Sequence, residues 1–83
     1  MKSIKCKDLG GACDVEFLGS TFEEVEAQSK QHGMEMFQNN DQQHLEAMEA
    51  MKELYSNENE FAKWYQSKKD YFNNLPEWLI EDI

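Results

Sequence analysis

The 83-residue chain has no arginine and only eight lysines against 17 acidic residues, a formal net charge of −9. Binding to phosphates needs clustered cations, so the charge balance excludes a general nucleic-acid partner. An anionic membrane surface repels the chain for the same reason. The longest late apolar run, Trp78-Leu79-Ile80, falls far short of the ~20 residues a membrane-crossing helix needs. No apolar run follows Lys2, Lys5 and Lys7, so no secretory signal is expected and a cytoplasmic location is the default. Two cysteines are too few for a disulfide framework, and cytosolic thiols are normally reduced. Internal repeats, low-complexity stretches and a phosphate-cradling glycine loop are all lacking. Gly10-Gly11 reads as turn chemistry.

Apolar residues make up 40% of the chain and aromatics 12%, too many for a disordered acidic tail. One small domain over residues 1–83 is expected, burying roughly 60% of the unfolded chain's surface. A domain of this size often leans on a metal, a disulfide or a partner. The charge is uneven: residues 1–7 carry +3, residues 8–60 carry −11 and residues 61–83 carry −1. An acid-rich middle of this kind is expected on solvated helix faces.

The pattern predicts an α+β fold: an antiparallel β-hairpin packed against an α-helix, followed by two further α-helices. Ser3–Lys7 and Asp14–Leu18 alternate in polarity, as half-buried strands do. A register pairing Ile4 with Phe17 and Cys6 with Val15 puts those four residues on the covered face. It also sets Lys5 opposite Glu16 and Lys7 opposite Asp14 on the wet face. Thr21-Phe22-Glu23-Glu24 fits a capping box that opens a helix. Val25, Ser29, His32 and Met36 then share one helical face, ending near Gly33 or running on to about Phe37. A second helix is expected over Asp41–Tyr55, and a third after Ser56-Asn57 that Pro76 stops at or before Leu75. Phe61, Trp64 and Phe72 are assigned to core packing. Trp78–Ile80 are left open between packing back and binding a partner.

In this register Cys6 and Cys13 face the same side as diagonal neighbours, roughly 7 Å apart at the backbone. His32 lies on the helical stripe that covers them. Two thiols and an imidazole suit zinc, although a closed structural site takes four donors. The six residues between the cysteines also differ from the two to four of a standard zinc knuckle. The same residues fit a plainer account, with cysteines as small buried hydrophobes and a histidine satisfied in a core.

The run Cys6-Lys7-Asp8-Leu9-Gly10-Gly11-Ala12-Cys13-Asp14, then Gly19-Ser20-Thr21-Phe22-Glu23-Glu24-Val25 and His32, resembles a family of small, uncharacterised prokaryotic proteins. That domain of unknown function is described as predicted small metal-binding proteins. The resemblance covers Met1 to about His32 and continues loosely to Tyr55, leaving 56–83 as a helical extension. It implies Cys6, Cys13 and His32 as metal ligands; the cofactor expectation stands between zinc, which suits these donors, and none. The family's second histidine, five positions after the first, falls on Phe37, which cannot ligate. His44 and Glu35 are the available substitutes. His44, third after a helix N-cap at Asp41, is expected to be an exposed polar residue.

The reading is a small non-enzymatic protein with an incomplete Cys/Cys/His site, monomeric or weakly dimeric. Nothing in the sequence supplies an oxyanion hole or a substrate pocket beside the thiols. Two alternatives stay open: a metal-free acidic module that binds a protein partner, and a Cys6–Cys13 thiol-redox pair.

Overall fold

The computed structural model describes residues 1–77. β1 (Lys2–Lys5) pairs antiparallel with β2 (Glu16–Gly19). α1 (Phe22–Gln38), α2 (Gln42–Tyr55) and α3 (Glu58–Asn73) follow, so the fold is α+β, with the hairpin resting on α1.

The register is the expected one, Ile4 opposite Phe17 and Lys5 opposite Glu16. Ile4 and Phe17 are buried. Lys7 forms an ion pair with Asp14 at 2.9 Å, as the wet-face pairing predicts. The strands are shorter than their alternation suggests. After Lys5 the chain tightens into a 3-10 turn, Cys6–Leu9, so Cys6 does not sit in a regular strand. The pairing nevertheless continues as single hydrogen bonds, with the Cys6 N–H donating to the Val15 carbonyl and the Lys7 N–H to the Cys13 carbonyl. This irregular stretch breaks the expected parity at Val15, which is exposed.

The capping box forms: Thr21 Oγ1 accepts from the Glu24 N–H at 3.3 Å, while Glu24 Oε1 accepts from the Thr21 N–H at 3.2 Å. These bonds satisfy donors a helix start leaves unpaired, and α1 persists through Gly33 to Gln38. The Gln28 side-chain amide grips β2, accepting from the Leu18 N–H and donating to the Leu18 carbonyl. Asn40, at φ 56°, turns the chain sharply from α1 into α2. Asparagine is one of the few residues that visit that left-handed region readily.

Among the described residues the buried core comprises Ile4, Cys6, Phe17, Phe22, Val25 and Phe72. α3 reaches it through Phe72 and Tyr65, whose rings meet Phe22 edge-on. Phe61 and Trp64, expected in the core, are only half-buried. Lys2 fastens the end of α3 to β1, donating from Nζ to the Asn73 carbonyl at 2.6 Å. α2 is different. It contributes no apolar residue to the core, and its one buried side chain is His44. The Trp78–Ile80 stretch lies outside the described residues.

Candidate metal centre

Cys6 is placed by the end of β1 and held by the turn that follows. The Lys5 N–H donates to Asp8 Oδ2 at 3.1 Å, which closes the turn. Gly10, at φ 91°, ends it in a conformation that other residues rarely adopt. Gly11 is needed for space: a Cβ there would lie 2.1 Å from Cys6 Sγ. The chain then folds back over the sulfur, so that the backbone amides of Cys13 and Ala12 hydrogen-bond to it. Burial pushes the Cys6 thiol above its ordinary pKa, and those two amide bonds pull the other way by favouring the thiolate.

Cys13 follows in the loop before β2 and is half-buried. Its sulfur lies 3.3 Å from His32 Nε2, brought in by the inward face of α1. The His32 ring stands edge-on to Phe17 at 5.7 Å. The three residues singled out in the sequence therefore converge, although Cys6 arrives from a turn and Cys13 from a loop.

The fourth donor is His44, and the expectation that it would be exposed is corrected: it is 5% exposed. Its Nε2 lies 3.6 Å from Cys6 Sγ, and its ring packs edge-on to His32 at 5.2 Å. Nδ1 meets Asp41 Oδ2 at 2.5 Å. Asp41 stands at the N-cap of α2, and the strongest bond of its carboxylate goes to the His44 ring. The hydrogen bond from His44 holds the Asp41 carboxyl below its ordinary pKa. The contact with Asp41 occupies Nδ1 and leaves Nε2 as the ring nitrogen that faces Cys6 Sγ. Carboxylates orient metal-ligating histidines in this way.

One donor atom from each of Cys6, Cys13, His32 and His44 lies within 4.8 Å of the others. A tetrahedral ion bound at ~2.3 Å to sulfur and ~2.0–2.1 Å to nitrogen sets neighbouring donors roughly 3.3–3.8 Å apart. The two short sulfur–nitrogen separations already match that spacing. The widest pairs need to close by about 1 Å. Two thiols and two imidazoles are a donor set that could hold a metal ion, and these residues fit it. Neither other position considered contributes. Phe37 is 62% exposed, and Glu35 is exposed, accepting a hydrogen bond from Gln31.

A sequence signal for His44 existed. Histidine at 44 stands in line with Ala47, Met48, Met51 and Tyr55, and together they line a crevice of about 220 Å³ that also borders Cys6. His44 begins the inward stripe of α2, and the acid three positions earlier is placed to orient it.

Residues 1–37 match the model of a family described as "Protein of unknown function (DUF1059)". This agrees with the resemblance to a small uncharacterised family carried by the same part of the chain. Cys6, Cys13 and His32 lie inside the matched segment, whereas His44 lies beyond it. No curated protein and no solved structure matches the chain. Among the described residues, no helix is long and apolar enough to cross a membrane.

Proposed function

We propose that this is a small, non-enzymatic metal-binding protein in which Cys6, Cys13, His32 and His44 hold one zinc ion in a closed tetrahedral site. One observation carries the reading: the chain has two cysteines and two histidines, and all four converge within 4.8 Å. Paired thiolates with paired imidazoles favour zinc over magnesium, calcium or manganese, which prefer oxygen. Four protein donors leave no open position for substrate, which marks a structural rather than a catalytic site.

The consequence would be mechanical. Cys6 and Cys13 come from the hairpin side, His32 from α1 and His44 from α2, the helix without apolar residues in the core. Ligation would cross-link α2 to the rest of the fold and supply what a small core lacks. The test is zinc content. Metal-free protein titrated with zinc should take up one equivalent and gain thermal stability, and absence of either effect refutes the proposal.

A second reading is favoured by the two free thiols lying in the same cluster. A two-electron oxidation by a disulfide such as oxidised glutathione would join Cys6 to Cys13 and release two reduced thiols. Metal-free protein treated with that oxidant should then lose two alkylatable cysteines without forming dimers.

A further inference from the structure

α1 and α2 leave an apolar strip in the open. Met34 and Phe37, one turn apart on α1, are 60% and 62% exposed. Leu45 and Met48 of α2, only half-buried, lie beside them: Leu45 borders one of two adjoining shallow grooves, Met34 the other, and Met48 both. These grooves measure about 440 and 300 Å³ and share Phe37 and Met48. None of these four apolar side chains belongs to the core, and none is a candidate metal ligand.

The rim selects the occupant. Glu46 and Glu49 border the larger groove, with Lys52 the one cation beside them. A second copy of this chain would bring the same acidic rim and a second −9 charge against the first, which disfavours it. A nucleic acid or an anionic bilayer is repelled likewise. A helix with apolar residues on one face and cations on the others satisfies both features. Its apolar anchors would fill the strip and its lysines or arginines would meet the glutamates. Methionine suits such a groove, because its unbranched, polarisable side chain adapts to differently shaped anchors. We propose that the Met34–Phe37–Leu45–Met48 strip is a docking surface for a basic amphipathic helix of a partner protein.

A synthetic peptide of about four helical turns serves as the probe, with leucine at i, i+4, i+7 and i+11 and lysine or glutamine elsewhere. Its control has the same composition, scrambled so that the leucines share no face. Binding is titrated on the full chain as purified, with the Met34 and Met48 methyl resonances as reporters of place. The expected result is that both resonances move and that the scrambled peptide binds at least about tenfold more weakly. Phe37→Ser should weaken the amphipathic peptide by about tenfold while leaving zinc content and Tm unchanged, since Phe37 is exposed. Equal binding of the two peptides would overturn the proposal, because it reports charge alone. So would unmoved methionine methyls, or self-association of the protein that Phe37→Ser abolishes, which would make a second copy the occupant.

Discussion

Replacing His44 by alanine separates a structural centre of four donors from one of three. The substitution removes the one buried side chain of α2 and leaves the Asp41 carboxylate without its partner. Without zinc, losing a buried, hydrogen-bonded side chain costs about 1–3 kcal/mol. The larger effect concerns zinc. Disturbing the groups that merely orient a ligand costs about 10–100-fold in metal affinity, so deleting the ligand itself should cost at least about 100-fold. At a fixed zinc concentration well above both dissociation constants, a 100-fold weaker site forfeits about 2.7 kcal/mol of zinc-conferred stability. For a domain of this size, 1 kcal/mol corresponds to about 4–8 °C in Tm. The zinc-induced rise in Tm should therefore be about 10–20 °C smaller in His44→Ala than in the wild type. Thermal unfolding of both proteins with excess chelator and with excess zinc measures it, the chelated samples isolating the cost that does not involve metal. An equal zinc-induced rise in the two proteins would refute the assignment of His44 as a ligand.

Asp41→Asn should keep α2 intact, because asparagine serves at a helix N-cap as well as aspartate does, yet weaken zinc by about 10–100-fold in a chelator competition. Gly11→Ala should lower stability by about 1–3 kcal/mol in denaturant unfolding and impair zinc uptake, because its Cβ would collide with Cys6 Sγ. The pH dependence should change direction with metal. In the metal-free protein, burial raises the Cys6 pKa, so this group's contribution is complete below its ordinary value of 9.0 and is lost as pH climbs through the raised value. Zinc requires the thiolate, so zinc affinity should fall on acidification, and binding at pH 7 should release at least one proton, measurable as a buffer-dependent calorimetric enthalpy.

Much of the fold was legible because local rules and tertiary packing agree. The Ile4–Phe17 register follows from alternation, and Thr21 with Glu24 starts α1 through its capping box. Val15 defied its alternation because the turn at Cys6 replaces regular pairing on the opposite side. Three of the four converging side chains were legible. Cys6, Cys13 and His32 stood out from strand parity, the helical stripe and a family-like run. His44 did not, because a polar residue in the first turn of a helix is ordinarily solvated. Its burial depends on the sharp turn at Asn40, which folds α2 back so that His44 meets His32 and Cys6. Asp41 looked like a plain N-cap for a related reason: a carboxylate before a helix usually serves the backbone, whereas here its strongest bond is to a side chain.

The most direct test is X-ray absorption at the zinc edge of the protein loaded with one equivalent. Because the chain holds only two cysteines and two histidines, a shell of two sulfurs and two imidazole nitrogens would identify all four ligands at once. The account predicts that shell, with distances near 2.3 Å and 2.0–2.1 Å. A single imidazole, a single sulfur, or a shell dominated by oxygen would contradict it.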